Sequence, residues 1–134
     1  MAVDIGRLEK LRKKTINGQS VKRLVEAGLT WLRTNQQTVN ALNVFPVPDG
    51  DTGTNMVLTM QAAWNEIKDS GHRNVNEMAA AVSKGALMGA RGNSGVILSQ
   101  LWRGFARGVQ GAELLDGATL AKAFAEARDT AYKG

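Results

Sequence analysis

The sequence contains no cysteine and a single histidine, His72. The absence of cysteine excludes disulfides and thiolate metal sites and fits a reducing compartment, so we expect a cytoplasmic protein. One histidine likewise excludes a histidine-rich metal centre. No apolar run approaches the roughly 20 residues needed to cross a bilayer, and the mixed charges of the first residues are unlike a signal peptide. We therefore expect no membrane span.

Aromatic residues are few, at 5% of the 134 residues, and the net charge of +5 is unevenly distributed. Residues 1–14 carry five basic side chains against two acidic ones. This basic segment has no aromatic side chain that could stack on bases, so we interpret it as a solvated N-terminal extension and expect no nucleic-acid partner. Residues 15–134 are numerous enough to bury one core without disulfides.

Apolar side chains in this second part recur every three or four residues, which predicts helices. No segment shows the alternation typical of a strand, and the linkers between the apolar stripes are short. The stripes cover residues 21–32, 56–67, 78–87, 96–109 and, after a cap near Asp116, 120–127. We expect an all-α fold, an up-and-down bundle of antiparallel helices.

Both prolines of the chain, Pro46 and Pro48, lie just before two acids, Asp49 and Asp51. Prolines favour a stiff, extended loop, in which side chains two residues apart point to the same side. Two converging carboxylates repel each other unless a cation binds them, and Mg²⁺ usually binds one or two carboxylates together with phosphate oxygens. The alternative is an ordinary turn in which Asp51 or Thr52 caps the next helix.

A second segment, residues 85–96, contains four glycines between two helical stripes. Glycines let a ligand approach the backbone, and the free amides at the start of the next helix, from about Ser94, favour phosphate. A plain helix junction capped by Asn93 or Ser94 explains the same residues without a ligand. Arg91 either neutralises charge during phosphoryl transfer or has a surface role. Taken together, the two segments predict a phosphate cradle opposite a Mg²⁺ loop.

Two long motifs carry a resemblance to a known family: Asn43-Val-Phe-Pro-Val-Pro-Asp-Gly-Asp-Thr-Gly-Thr-Asn-Met56 and Met88-Gly-Ala-Arg-Gly-Asn-Ser-Gly-Val-Ile-Leu-Ser-Gln100. They resemble the signatures of the dihydroxyacetone-kinase L-subunit (DhaL-like) family of nucleotide-binding domains. The closest resemblance is to the N-terminal kinase domain of bacterial fatty acid kinase. It implies a barrel of antiparallel helices that binds ATP or ADP with Mg²⁺ at one end.

The resemblance also implies roles for individual residues. It makes Asp49 and Asp51 metal ligands. Together with Arg91, which is a candidate because it lies beside the glycine-rich turn and not because of the resemblance, they are the candidate catalytic residues. A third aspartate of the dihydroxyacetone-kinase branch is replaced here by Val44, so Asn43 is the candidate substitute ligand. The implied nucleotide-binding residues are Thr54, Asn55, Gly92, Asn93, Ser94 and Gly95. Family kinases continue with further helices and a Gly-Thr motif, so we expect residues 15–134 to be a kinase domain truncated at its C-terminus.

The implied activity is transfer of the γ-phosphate of ATP to a carboxylate or hydroxyl acceptor. The nearest resemblance suggests a fatty acid presented by a separate lipid-binding protein, and it leaves a homodimer open. Two alternatives are a non-catalytic nucleotide-binding or partner-docking module and a dihydroxyacetone (glycerone) kinase-type subunit. The missing third aspartate and the missing C-terminal helices both favour the non-catalytic module.

Overall fold

The computed structural model describes residues 14–44 and 48–133. The predicted N-terminal extension therefore lies outside the described residues, except for Lys14. The described part contains a single isolated antiparallel bridge, between Ile16 and Leu115, and no strand. The predicted all-α class is confirmed. The helices are α1 (Gly18–Thr34), α2 (Gln36–Ala41), α3 (Thr52–Ile67), α4 (Val75–Met88), α5 (Gly92–Gly108) and α6 (Gly117–Lys133).

Backbone hydrogen bonds join the connecting segments at one end of the bundle, which we call the tied end. Ile16 and Leu115 exchange two such bonds, at 3.0 and 2.9 Å, and the Val75 amide donates to the Glu113 carbonyl at 2.9 Å. Helices α1, α4 and α6 begin at this end. Helices α3 and α5 run the other way, so both begin at the opposite end of the bundle, together with the two motifs.

The core is formed by the apolar faces of the five predicted helices. Ile67, Met78 and Val82 are fully buried in it. The predicted stripes were too wide, however, because Leu24 and Phe124 are 60% and 61% exposed. Three- to four-residue spacing marks an arc of the helix surface that is broader than the face packed against neighbouring helices. The remaining core side chains include Val21, Val25, Leu29, Val57, Met60, Ala63, Val75, Ala79, Ala86, Val109, Leu115 and Ala123.

The exposed Leu24 and Phe124 line an apolar groove of about 410 Å³ between α1, α5 and α6. The Phe105 ring packs edge-on against Trp102 and Phe124, with ring centroids 5.3 and 6.0 Å apart. The groove lies on the side of the bundle where α1 and α6 do not contact each other. Within the described ranges, no helix is both long and apolar enough to cross a membrane.

Helix α2 was not predicted, because its six residues are mostly polar and form no apolar stripe. An isolated helix of this length is unstable in water. Here α2 packs against the beginning of α3, and hydrogen bonds from its side chains hold the two helices together. Tertiary contact therefore supplies the stability that the local sequence lacks, and α2 becomes part of the site.

Candidate functional site

The beginning of α3 is fixed to α2 through Thr54. Its hydroxyl oxygen accepts hydrogen bonds from Gln36 Nε2 and Asn40 Nδ2, each at 3.0 Å. The Thr54 amide donates to Asn40 Oδ1, also at 3.0 Å. A Cβ on Gly53 would collide with the Gln36 carbonyl oxygen, so only glycine allows this approach. The backbone at the start of α3 is held in one position.

These bonds also determine what the Thr54 hydroxyl can do. A threonine hydroxyl has two acceptor lone pairs and one proton to donate. Both lone pairs receive hydrogen bonds from α2, so the hydroxyl can act towards a ligand only as a donor. Donors of this kind suit phosphate oxygens rather than cations.

The two candidate metal ligands, Asp49 and Asp51, are both exposed next to this helix start. Asp51 occupies the N-cap position of α3, but its carboxylate accepts no capping hydrogen bond. The alternative interpretation, an ordinary turn capped by Asp51, is therefore correct about the position of Asp51. It is wrong about the capping hydrogen bond, which the carboxylate does not make. Thr52 is already inside the helix. Neither carboxylate has an ion-pair or hydrogen-bond partner among residues 14–44 and 48–133.

Asn43 closes the loop that carries these acids. Its Oδ1 accepts a hydrogen bond from the Asp51 amide at 3.0 Å. Gly50 has a φ of +63°, which lets the chain turn between the two acids. The Asn43 oxygen keeps one lone pair for a metal ion, and its observed contact is with the loop backbone. Pro48 is exposed, whereas Pro46 lies outside the described residues.

The glycine-rich turn leads into α5 two residues earlier than expected. The helix begins at Gly92, with Arg91 as its N-cap, and the Arg91 side chain makes no capping hydrogen bond. The alternative in which Asn93 or Ser94 caps the helix is therefore wrong, since both lie within its first turn. Gly92 has a φ of +66°, which other residues rarely adopt, and this allows the sharp entry.

Helix α5 consequently presents free donors at its beginning. Its first backbone hydrogen bond runs from the Gly95 amide to the Arg91 carbonyl at 3.1 Å. The amides of Gly92, Asn93 and Ser94 precede that bond and have no partner within the helix. Gly92 and Asn93 are exposed and Ser94 is half-buried, so a ligand can reach this turn from solvent.

The two motifs meet directly, through Asn55 and Thr59. A Cβ on Gly92 would collide with the Asn55 carboxamide. The Thr59 hydroxyl accepts a hydrogen bond from the Arg91 amide at 3.1 Å and donates one to the Asn55 carbonyl at 2.8 Å. The beginnings of α3 and α5 are thus side by side.

The electrostatics of this junction favour an anion. The beginning of each helix carries the positive end of a helix dipole, and neither N-cap side chain makes a capping hydrogen bond. The exposed Arg91 adds a positive charge, while Asp49 and Asp51 carry two negative charges in the loop that leads into α3. This distribution of charge suits an anion at the helix beginnings and a cation at the two carboxylates.

Some expected features are not part of this junction. Val44, where the resemblance to the dihydroxyacetone-kinase branch would place a third aspartate, is exposed. The described residues contain no group of three acidic, histidine or cysteine side chains arranged to hold a metal ion. His72 lies near the tied end, where its Nδ1 is 3.1 Å from a Glu77 carboxylate oxygen, so it is not part of the site.

Three residues of the junction, Gln36, Asn40 and Thr59, were not predicted from the sequence. No local pattern distinguishes the two α2 amides from ordinary polar surface residues. Thr59 had a weak signal, since it is a hydroxyl residue within an otherwise apolar stripe of α3. All three hold the backbone or side chains of the junction through hydrogen bonds. These contacts form only when the helices pack together.

The fold and the junction define an all-helical domain in which the beginnings of two helices lie side by side at one end of the bundle. Comparison with known families agrees with this class, since the DAK2 domain model matches residues 46–134. The chain belongs to the DAK2 domain family. The family is of the dihydroxyacetone-kinase type, a group of nucleotide-binding kinase subunits.

Similar proteins occur in Staphylococcus aureus. Uncharacterized proteins of strains USA300, N315 and Mu50 are each 47% identical to this chain over 118 residues. The match covers 88% of this chain and 22% of each relative. The chain thus spans about a fifth of the length of these relatives.

Proposed function

We propose that this chain is the ATP-binding part of a Mg²⁺-dependent phosphotransferase. The observation that carries the proposal is the contact of Asn55 with Gly92, which joins two helix beginnings whose N-cap side chains make no capping hydrogen bond. Phosphate binding at such positions needs only correctly directed amides and a favourable dipole. Family membership supports nucleotide as the phosphate-bearing ligand.

In this proposal the phosphates lie against the beginning of α5. The amides of Gly92, Asn93 and Ser94 donate to phosphate oxygens, and Gly95 keeps the first turn close to α3. The Thr54 hydroxyl donates from the other side, and the Asn55 carboxamide adds a contact between the two. Arg91 neutralises charge that develops on the transferred group.

The residues present fit a Mg²⁺ ion. Asp49 and Asp51 supply two exposed carboxylates without other partners in the described part, and the second lone pair of Asn43 Oδ1 supplies a third oxygen. Oxygen ligands of this kind are those that Mg²⁺ prefers. When bound, the ion supplies charge neutralisation on the phosphate oxygens. Asp49 and Asp51 would be the residues that hold it.

We propose a carboxylate as the acceptor, specifically a fatty acid presented by a separate lipid-binding protein. A carboxylate is already ionised at neutral pH and needs no base, and His72 lies away from the junction. The acceptor oxygen forms a bond to the γ-phosphorus while the bond from phosphorus to the β–γ bridging oxygen breaks. The products are an acyl phosphate and ADP. The fatty acid and its carrier rest on the motif resemblance alone.

A second candidate is a non-catalytic nucleotide-binding module. The specific observation in its favour is Val44, an exposed apolar side chain where the resemblance to the dihydroxyacetone-kinase branch would place a third aspartate. With two carboxylates rather than three, a metal ion has fewer protein ligands. Nucleotide binding and phosphoryl transfer must therefore be measured separately.

An acceptor assay tests the proposed activity. The protein is incubated with Mg²⁺-ATP and either a fatty acid on a lipid-binding carrier protein or dihydroxyacetone. Hydroxylamine traps acyl phosphate as a hydroxamate, and ADP is measured in parallel. Hydroxamate formed only with the fatty acid supports the proposal. ADP formed only with dihydroxyacetone would contradict the fatty-acid acceptor and indicate a glycerone-kinase-type subunit instead. ATP binding without product from either acceptor would favour the non-catalytic module.

A further inference from the structure

Thr59 connects the two halves of the junction without being exposed to a ligand. Its exposed fraction is 0%. Its hydroxyl accepts from the Arg91 amide and donates to the Asn55 carbonyl one helical turn earlier in α3. Because its proton is already donated to a carbonyl, the hydroxyl oxygen is polarised and accepts more strongly.

The packing between α3 and α5 leaves space for this hydroxyl. A Cβ on Gly95 would collide with Thr59 Oγ1, so the first turn of α5 can lie this close only because residue 95 is glycine. The Thr59 hydroxyl therefore contacts α5 at two points, the Arg91 amide and the Gly95 backbone. These two points are on either side of the exposed amides of the turn.

Removal of the hydroxyl has a predictable local consequence. The Arg91 amide lies at the N-cap of α5, where no helical carbonyl can accept its hydrogen bond. Without Thr59 Oγ1 it must turn towards water to avoid remaining partly buried and unsatisfied. That rotation would be passed directly to Gly92, whose amide is the first of the three that have no partner within the helix.

We infer that Thr59 is a positioning residue whose hydroxyl sets the direction of the amides from Gly92 to Ser94. It contacts neither nucleotide nor metal, and it acts through the Arg91 amide. The consequence for nucleotide affinity rests on the proposed function. The consequence for the geometry of the turn does not, because it follows from hydrogen bonds within the chain.

Substitution of Thr59 by valine and by serine separates shape from hydroxyl chemistry. Thr59→Val keeps the branched shape and removes the hydroxyl, whereas Thr59→Ser keeps the hydroxyl and removes the methyl group. Thr130→Val is the matched control. Thr130 is also a buried threonine between two helices and packs against Gly104 of α5, about 18 Å along that helix from Gly92.

Two measurements are made on each variant. The first is amide hydrogen exchange and chemical shift by NMR, without ligand, for Arg91 to Gly95. Thr59→Val should reduce protection of the Arg91 amide about tenfold or more and shift its neighbours, because one hydrogen bond is lost. The second is the affinity for ADP, ATP and adenosine. Thr59→Val should lower the affinity for ADP and ATP about tenfold more than the affinity for adenosine.

Wild-type behaviour in Thr59→Ser and Thr130→Val, together with both changes in Thr59→Val, supports the inference. Unchanged amide shifts in Thr59→Val would overturn it, and so would altered shifts with unchanged affinity for the phosphorylated ligands. If the wild-type chain binds no nucleotide, the proposed function fails. The amide measurements then decide alone whether the hydroxyl sets the turn.

Discussion

The carboxamide of Asn55, in the first turn of α3, lies directly against the backbone of Gly92, the first residue of α5. This contact joins two motifs that are far apart in the sequence. It brings together two helix beginnings whose N-cap side chains make no capping hydrogen bond, and it requires glycine at position 92. The groups gathered around this contact can each be tested by substitution.

The first prediction concerns metal dependence. Asp49→Asn or Asp51→Asn should abolish the enhancement of ATP binding by Mg²⁺, because each change removes a charged oxygen ligand. The fold should be intact or slightly more stable, since repulsion between the two carboxylates is relieved. Asp69→Asn, an exposed acid near the tied end, is the control. Unchanged Mg²⁺-ATP affinity in the Asp49→Asn, Asp51→Asn double variant would contradict the assignment.

The second prediction concerns the turn into α5. Gly92→Val should weaken the binding of ADP and ATP far more than the binding of adenosine. A side chain at this position collides with Asn55 and displaces the amides proposed to face phosphate. The positive φ adds a cost of about 1 kcal/mol for any residue other than glycine. Gly95→Val should act in the same direction by displacing Thr59.

Gly28→Ala is a suitable control for these glycine variants. A Cβ at Gly28 meets no atom within 4 Å, and alanine should stabilise α1 by up to about 1 kcal/mol. Calorimetric titration with the three ligands measures the effect. If Gly92→Val weakens the binding of adenosine as much as the binding of ATP, the variant has damaged the helix junction, and a phosphate-binding role of the turn is not supported.

The third prediction concerns Thr54. Thr54→Val should destabilise the protein by about 1–2 kcal/mol, because the amide groups of Gln36 and Asn40 lose their shared acceptor. It should also weaken ATP binding, since the variant has no hydroxyl proton to donate to a ligand. Thr54→Ser should restore both properties. Urea unfolding and nucleotide titration check the two effects, and full ATP affinity in Thr54→Val would exclude a direct contact.

The fourth prediction concerns pH and the cap of α6. The Thr119 amide donates to the Asp116 carboxylate at 2.7 Å, and this hydrogen bond lowers the pKa of Asp116. A carboxyl whose pKa is lower in the folded state stabilises the fold above its unfolded pKa, and this contribution is lost as the pH falls through the folded value. Asp116→Asn should retain the cap and lose this pH dependence. Urea midpoints between pH 6 and pH 3 should therefore fall less in the variant than in the wild type.

The sequence alone predicted the helical class and five of the helices, because long apolar stripes such as that of α5 carry a strong periodic signal. It also predicted the Asp116 cap, which depends on one side chain and a nearby amide. These features are local, so a single segment contains the information. The two motifs, including Asp49, Asp51 and Gly92, were recognisable from residue type for the same reason.

The parts that were missed depend on contacts between distant segments. Helix α2 is stable only against α3, and the support of Thr54 by Asn40 exists only once they pack. The cap of α5 was misplaced because Asn93 and Ser94 are good capping residues locally, while the positive φ of Gly92 starts the helix earlier. Exposure of Leu24 likewise reflects the absence of contact between α1 and α6 in the described part.

The central claim is that nucleotide phosphates bind where α3 and α5 begin, with Mg²⁺ on the two aspartates. Isothermal titration calorimetry of the chain with ATP, with and without Mg²⁺, and with adenosine tests it most directly. We predict that ATP binds more tightly with Mg²⁺ than without it, and that adenosine binds at least about tenfold more weakly than Mg²⁺-ATP. No ATP binding in either condition, or equal affinity for adenosine and Mg²⁺-ATP, would contradict the claim.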